Sequence, residues 1–282
     1  MIRIAVASGK GGTGKTTVAT SLALFWARTR SVHFLDCDAE APNAALLLGP
    51  VFNIAEQVTR LVPLVDESVC DHCGECSVFC RFHALAVTGT RVLIFPEICH
   101  SCGGCVAVCP KGTISEMPRS VGELAEGAAG AIRFSQATLN AGETATVHLI
   151  RAVRKRESAA DVVIVDSPPG TSCPVVAAVE GADWVVLVTE PTPFGLNDLV
   201  LAVEMTRRLG LRIGVVINRH GIGDDRVDRF CVPAGIPIIG RIADDRRVAE
   251  AYSRGESPFA MVPSFREEIA AIANRLAAEV FA

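Results

Sequence analysis

Apolar residues occur in short consecutive runs along most of this chain, and longer mixed segments separate one run from the next. Continuous apolar runs are typical of parallel strands that helices cover on both faces. The predicted strands are 2–7, 32–36, 162–166, 184–189, 213–218 and 236–240, and the predicted helices are 16–28, 144–156, 196–209, 246–253 and 265–280. This alternation predicts an α/β fold with a mostly parallel, doubly wound sheet.

The alternation stops between residues 65 and 118, where most of the 11 cysteines lie. Cys70, Cys73, Cys76 and Cys80 form a first run, and Cys99, Cys102, Cys105 and Cys109 form a second run with the same spacing. Between the runs, 84–88 and 92–95 flank Gly89 and Thr90, which predicts a hairpin. We therefore predict an inserted small α+β domain at 65–118, within a larger domain formed by 1–64 and 119–282.

The spacing within each run resembles that of bacterial ferredoxins, where the fourth cysteine of each run ligates the other of two [4Fe–4S] clusters. The first predicted cluster is held by Cys70, Cys73, Cys76 and Cys109, and the second by Cys99, Cys102, Cys105 and Cys80. A structural zinc site is the alternative, since paired cysteines often bind zinc. Zinc takes four ligands from two pairs, which would leave the regular third and fourth cysteines unexplained.

The segment from Gly9 to Thr16 matches the G-x4-G-K-[ST] phosphate-binding loop and lies between a predicted strand and a predicted helix. Glycines let backbone N–H groups surround phosphate oxygens, and the helix N-terminus adds a favourable dipole. We predict that Lys15 pairs with the β- and γ-phosphates and that the Thr16 hydroxyl ligates Mg²⁺. The loop residues predicted to bind ATP are Gly11, Gly12, Thr13, Gly14, Lys15, Thr16 and Thr17.

Lys10 is an additional lysine within this loop, and two segments that begin with aspartate accompany it, at 36–43 and 166–170. Together these motifs resemble the deviant Walker A ATPases, which include MinD, ParA, Mrp and the nitrogenase iron protein. With its cysteine-rich insert, the whole chain is similar to the MinD-superfamily ATPases that contain an inserted ferredoxin domain. The resemblance implies hydrolysis of ATP to ADP and phosphate by a homodimer that closes around two nucleotides.

The resemblance also implies roles for individual residues. Lys10 would reach the phosphates bound by the opposite subunit, Asp38 would orient the attacking water, and Asn218 would contact adenine. Asp166 ends an apolar strand, where a carboxylate can hold Mg²⁺ through water. We therefore predict Lys10, Lys15 and Asp38 as catalytic residues. Outside these motifs Lys10 would be a solvated loop lysine, and the aspartates would be ordinary strand-end or capping residues.

The composition and charge of the chain disfavour nucleic acids and membranes as binding partners. The net charge of −4 gives no overall positive field for nucleic acid, and a single tyrosine with two tryptophans disfavours base stacking. No apolar run approaches the roughly 18 residues that span a bilayer, and the 265–280 segment lacks the basic face of a membrane-surface helix. Many cysteines without an export signal indicate a reducing compartment, so we expect a cytoplasmic protein with no stable membrane insertion.

The preferred interpretation is an ATP-driven iron–sulfur protein whose dimer change is coupled to assembly or transfer of an iron–sulfur or other metal cofactor, with electron supply. One alternative is an ATP-gated electron donor to a partner reductase, as the nitrogenase iron protein is. Another is a MinD- or ParA-like ATPase that organises cell components in space. Complete cysteine ligation favours permanent electron-transfer clusters, whereas the relatives without a reductive role favour assembly. The expected partner is a client metalloprotein or a redox protein.

Overall fold

A computed structural model describes residues 1–280. The strands are β1 Ile2–Ala7, β2 Val32–Asp36, β3 Val51–Val65, β4 Leu85–Thr88, β5 Arg91–Ile94, β6 Ile114–Ala129, β7 Ile132–Leu139, β8 Val162–Asp166, β9 Trp184–Thr189, β10 Ile213–His220 and β11 Ile238–Ala243. The helices are α1 Lys15–Trp26, α2 Ala44–Leu48, α3 Glu75–Phe79, α4 Gly104–Val108, α5 Thr146–Lys155, α6 Cys173–Val179, α7 Pro193–Arg208, α8 Arg226–Cys231, α9 Arg246–Ser253, α10 Pro258–Met261 and α11 Pro263–Val280, with a 3₁₀ turn at Pro96–Ile98.

Nine of these strands form one sheet in the order β11-β10-β9-β1-β8-β2-β7-β6-β3. The pairings from β11 to β7 are all parallel, and β6 and β3 continue the sheet in antiparallel pairing. Because the parallel strands share one direction, their carboxyl ends meet at one edge of the sheet. Ala7, Asp36, Asp166 and His220 end four of those strands, so the segments that follow them form a common site.

Buried apolar residues cover both faces of the sheet. One cluster packs residues of α5, α6 and α7 against the sheet, and a second cluster packs α1 and α11 against the opposite face. Phe34 and Phe134 on neighbouring strands stack with ring centroids 5.6 Å apart. The predicted doubly wound, mostly parallel α/β fold is confirmed.

Several element boundaries differ from the prediction by two or three residues, and two of them have identifiable reasons. The last strand begins at Ile238 instead of residue 236, since Pro237 has no N–H to donate to a ladder. Helix α7 begins at Pro193, three residues before the predicted start. The Thr192 side chain accepts a 3.0 Å hydrogen bond from the Gly195 N–H, and proline suits the first helical position, so this end is well capped.

The sequence patterns did not predict β3, β6 and β7. Strands β3 and β6 form a long antiparallel ribbon, paired from Val51 with Ala128 to Val65 with Ile114. Much of β3 is exposed, so it lacks the continuous apolar run expected of a covered strand. Gly122 in β6 is required by packing, since a Cβ there would lie 2.3 Å from the Thr138 carbonyl oxygen.

Residues 66–113 lie between the far ends of this ribbon and contain the two cysteine runs. The predicted hairpin is confirmed, with β4 and β5 paired from Leu85 with Ile94 to Thr88 with Arg91. Helices α3 and α4 pack with this hairpin around a small separate core that includes several of the cysteines. Within residues 1–280, no helix combines the length and apolar character needed to cross a bilayer.

Candidate functional site

The glycine-rich loop connects the central strand β1 to α1 and depends on glycine at defined positions. Gly12 and Gly14 have φ values of 80° and 88°, which side-chain-bearing residues rarely adopt. A Cβ at Gly9 would lie 2.1 Å from the Asp198 carbonyl oxygen, and one at Gly14 would lie 2.3 Å from Asn218 Nδ2. The backbone therefore approaches its neighbours more closely than any larger residue permits.

Lys15 lies at the start of α1 and is almost fully buried beside two carboxylates. Its Nζ is 3.5 Å from Asp166 Oδ1 and 3.8 Å from Asp38 Oδ2. Burial raises the pKa of both carboxyl groups, and the positive charge of Lys15 partly offsets this effect. The positive charge of Lys15 thus favours the ionised form of both carboxyl groups.

Asp166 and Asp36 end neighbouring strands, β8 and β2. Asp36 accepts hydrogen bonds from the Asp38 and Ala44 N–H groups at 3.1 and 3.2 Å, and burial raises its pKa well above the usual range, with the Asp166 charge adding to the effect. Both carboxylate oxygens of Asp166 are buried without a well-formed hydrogen bond, and the Lys15 Nζ at 3.5 Å and the Thr16 side chain are their polar neighbours. A buried carboxylate beside the Thr16 side chain suits Mg²⁺, which prefers oxygen ligands.

A cavity of about 390 Å³ opens from this centre along the edge of the sheet. Of the predicted site residues, the cavity is lined by Gly11, Gly12, Gly14, Lys15, Thr16, Thr17, Asp38 and Asn218. Thr13 is part of the loop but does not line the cavity, and its carbonyl oxygen accepts a 2.7 Å hydrogen bond from Asn218 Nδ2. Sequence reasoning missed Tyr252 and Phe265, which line the same cavity from α9 and α11. No motif marks them, because they reach the site only through the packing of those helices.

The Lys10 side chain forms an ion pair within its own chain. Its Nζ lies 3.2 Å from Glu190 Oε2, and Glu190 also accepts Arg219 Nη1 at 2.9 Å. The Glu190 side chain is buried, whereas Lys10 remains one-third exposed. Glu190 follows β9 at the carboxyl edge, and a strand-end carboxylate could have been noticed on the same grounds as Asp166.

The eight cysteines of the two runs line two cavities. Cys70, Cys73, Cys76 and Cys109 line one of about 10 Å³, and Cys80, Cys99, Cys102 and Cys105 line another of about 360 Å³. Each cavity takes three cysteines from one run and the fourth cysteine from the other. These two groups have the same members as the two predicted cluster sets.

The backbone repeats between the runs with an offset of 29 residues, from Cys70 to Cys99. Positive φ occurs at His72 and Ser101, at Gly74 and Gly103, and at His83 and Gly112. Each run ends with an amide directed at its fourth sulfur. The Ala84 N–H donates to Cys80 Sγ at 3.3 Å, and the Thr113 N–H donates to Cys109 Sγ at 3.4 Å.

Within residues 1–280, no three His, Cys, Asp or Glu side chains converge as the ligands of a single metal ion do. A cubane cluster binds each thiolate at a different iron, so its ligands stand farther apart than those of one ion. The first cavity, at about 10 Å³, is smaller than a cubane cluster. The donor set and the amides directed at sulfur fit [4Fe–4S] chemistry.

A buried ion-pair network, defined here as Arg60, Glu143 and Arg119, joins the second cysteine run to the rest of the chain. Arg60 donates to the Cys99 carbonyl and, at 2.8 Å, to the Pro96 carbonyl. The Arg60 guanidinium also lies 3.0 Å from Glu143, which pairs in turn with Arg119, and both Arg60 and Glu143 are almost fully buried. Glu143 precedes α5, so the turn that opens the second run is fixed to the large sheet domain.

The comparisons with known proteins cover most of the chain. A family model described as the CobQ/CobB/MinD/ParA nucleotide binding domain matches residues 4–259. An uncharacterized protein of Methanocaldococcus jannaschii is 31% identical, over 97% of each chain. The septum site-determining protein MinD of Bacillus subtilis is 27% identical, over 98% of this chain and 89% of MinD. The solved MinD of Pyrococcus horikoshii in complex with Mg-ADP shares the fold, with a TM-score of 0.62 at 18% identity, over 98% of this chain and 95% of that chain.

Proposed function

Since the chain belongs to the CobQ/CobB/MinD/ParA family of nucleotide-binding domains and is a P-loop ATPase, we propose that it uses ATP to control two [4Fe–4S] clusters carried by an inserted ferredoxin-like domain. The ATPase domain is formed by residues 1–64 and 119–282, and the ferredoxin-like domain by 65–118. The observation that carries the proposal is the crosswise membership of the two cysteine cavities. Crosswise ligation is how two-cluster ferredoxins use this spacing.

Bound clusters would supply one-electron redox chemistry, and the eight cysteines would hold them. Cys70, Cys73, Cys76 and Cys109 hold the first cluster, and Cys99, Cys102, Cys105 and Cys80 hold the second. The amides of Ala84 and Thr113 stabilise negative charge on the sulfurs that they contact.

At the nucleotide cavity, the loop amides and Lys15 bind the β- and γ-phosphates. Thr16 and Asp166 hold Mg²⁺, and the buried Asp166 carboxylate, which makes no well-formed hydrogen bond, supports this role. Asp38, 3.8 Å from Lys15, orients the attacking water. Asn218 fixes the loop through Thr13 and contacts adenine from the same cavity.

The loop is of the deviant Walker A type, and Lys10 acts across a homodimer. In this chain Lys10 is paired with Glu190. Closure of the dimer moves Lys10 to the phosphates of the opposite subunit, where its positive charge stabilises the transferring phosphoryl group as an arginine finger does. Nucleotide state thereby sets the arrangement of the two subunits and of the cysteine units that they carry.

The dimer change serves assembly or transfer of an iron–sulfur or other metal cofactor to a client metalloprotein, with electron supply as part of that work. As an alternative, the ATPase dimer and its clusters deliver low-potential electrons to a partner reductase. Exposed apolar side chains beside the second cysteine cavity, including Val78, Phe79 and Phe82, support contact with a partner protein. A reducing cytoplasm suits the free thiols.

Spatial organisation of cell components is a second candidate, and the named relatives favour it over the iron–sulfur proposal. Several are septum site-determining proteins. If this chain has that role, the ATP-bound protein will bind anionic liposomes or DNA tightly and in a salt-sensitive way. The nucleotide site serves either function, whereas the two cysteine cavities have no role in spatial organisation.

The decisive experiment is anaerobic purification followed by iron and sulfide analysis and EPR of the reduced protein. We expect about eight irons per chain, and EPR signals or potentials that shift on addition of MgATP. Zinc in place of iron, or absence of bound metal, would contradict the proposal. Clusters that are indifferent to nucleotide would reduce the cysteine unit to a docking ferredoxin and refute ATP control.

Turnover tests the assigned roles of Asp38 and Lys10. We expect Asp38→Asn and Lys10→Ala to retain MgATP binding and to lose most hydrolysis, since water orientation and charge stabilisation in the transition state are removed while the phosphate cradle stays intact. Single-turnover ATPase assays and equilibrium binding separate the two effects. Full hydrolysis by either variant would remove that residue from the mechanism. Lys155→Ala, which removes an exposed lysine of α5, is the matched control.

A further inference from the structure

Ala84 and Thr113 are one of the pairs of equivalent positions at which the two halves of the cysteine unit carry different residues. Each follows the fourth cysteine of its run by four residues, and each donates its backbone N–H to that cysteine's sulfur. Thr113 adds a second contact, because its Oγ1 lies 3.4 Å from Cys109 Sγ. Alanine offers no such group to Cys80.

A sulfur bound to iron carries no proton, so in this contact the Thr113 hydroxyl is the donor. Thr113 is nearly fully buried, which limits the competition of water for that hydrogen bond. The geometry thus places a side-chain dipole where it favours negative charge on one ligand.

One-electron reduction adds negative charge to a cluster, and hydrogen bonds to its sulfurs stabilise that charge. We propose that the Thr113 hydroxyl raises the reduction potential of the cluster held by Cys70, Cys73, Cys76 and Cys109. This inference rests on the proposed function, since it requires that both clusters are present. Thr113 acts through Cys109 and is a tuning residue.

Backbone amides contact sulfurs of both cysteine sets. The Thr113 N–H donates to Cys109 Sγ in the first set, and the Ser101 and Ala84 N–H groups donate to Cys99 Sγ and Cys80 Sγ, at 3.4 and 3.3 Å, in the second. Among the hydrogen bonds to cysteine sulfur described here, the Thr113 hydroxyl is the one supplied by a side chain. It can therefore be removed or reproduced by substitution without altering the backbone.

The test is an anaerobic potentiometric titration with dithionite as the reductant, in which EPR resolves the two clusters. Thr113→Val removes the hydroxyl at nearly constant volume, and we expect one potential to become more negative while the other stays unchanged. Thr113→Ser keeps the hydroxyl and should restore the potential. Ala84→Ser is the reciprocal variant, since Ala84 borders the larger cavity and its new hydroxyl can reach Cys80; it should raise the other potential.

The outcomes separate the two levels of inference. Absence of iron and sulfide in the unmodified protein contradicts the proposed function itself. Clusters that are present, with potentials unmoved by Thr113→Val and by Ala84→Ser, overturn the role of Thr113 alone. Equal shifts of both clusters overturn it as well, because a local hydrogen bond acts on its own cluster. If Thr113→Val fails to retain its cluster, the Ala84→Ser titration decides, and an unmoved potential there refutes the inference.

Discussion

Replacing Lys15 with alanine abolishes ATP binding: we expect the dissociation constant for MgATP to rise by about 100-fold or more, as loss of a charge-assisted contact to phosphate implies. The side chain is 7% exposed and lies between Asp38 and Asp166, so no other lysine can take its place. Its removal also leaves two carboxylates facing the phosphates. Their repulsion adds to the lost attraction. Titration calorimetry or a fluorescent nucleotide measures the effect.

The control must separate binding from folding, because Lys15 is buried beside charged groups. Circular dichroism and denaturant unfolding of Lys15→Ala establish whether the sheet domain is retained. Lys155→Ala again serves as the exposed-lysine control and should bind MgATP normally. A folded Lys15→Ala protein with unchanged nucleotide affinity would contradict the assignment of the phosphate-binding loop.

The second large effect concerns cluster content and follows from the crosswise cavities. Cys76 and Cys109 belong to different runs but line the same cavity, whereas Cys105 lines the other. We expect Cys76→Ser, Cys109→Ser and the double variant of these two each to lose about four irons. The double variant Cys105→Ser with Cys109→Ser should lose about eight, because it disables both sites. Iron and sulfide analysis of anaerobic protein reads out each case.

This comparison is a double-mutant cycle in iron content, so a general loss of stability does not imitate it. Cys231→Ser is the matched control, since Cys231 is a buried thiol outside both runs and should leave the iron content unchanged. If ligation were confined to each run, Cys76→Ser with Cys109→Ser would lose both clusters and Cys105→Ser with Cys109→Ser only one. That inverted pattern would refute the crosswise sets.

The parallel part of the fold could be predicted because its strands are covered on both faces. Val162–Asp166 is completely buried, so every position is apolar until the functional carboxylate at its end. The same physics places the phosphate-binding loop and Asp166 at one edge of the sheet. Local motifs therefore sufficed for the centre of the nucleotide site.

The ribbon could not be predicted in this way, because β3 is largely exposed and β6 is held by pairing with two neighbours instead of by an apolar run. Tyr252 was missed for a related reason, because it reaches the nucleotide cavity only when α9 packs there. Long-range packing of this kind leaves no local pattern. Glu190 does follow a strand, as Asp166 ends one, but its contacts with Lys10 and Arg219 are evident only in the structure.

The network of Arg60, Glu143 and Arg119 limits how the cysteine unit can be transplanted. All three residues lie outside the 65–118 segment, and Arg60 and Arg119 are on the ribbon that carries it. Arg60 nevertheless donates hydrogen bonds to the carbonyl groups of Pro96 and Cys99 within the segment. If residues 65–118 alone were transferred to another protein, Arg60 would be lost and those carbonyl groups would be exposed to water. A portable version has to take the ribbon from Val51 to Ala129 and supply an acidic partner in place of Glu143.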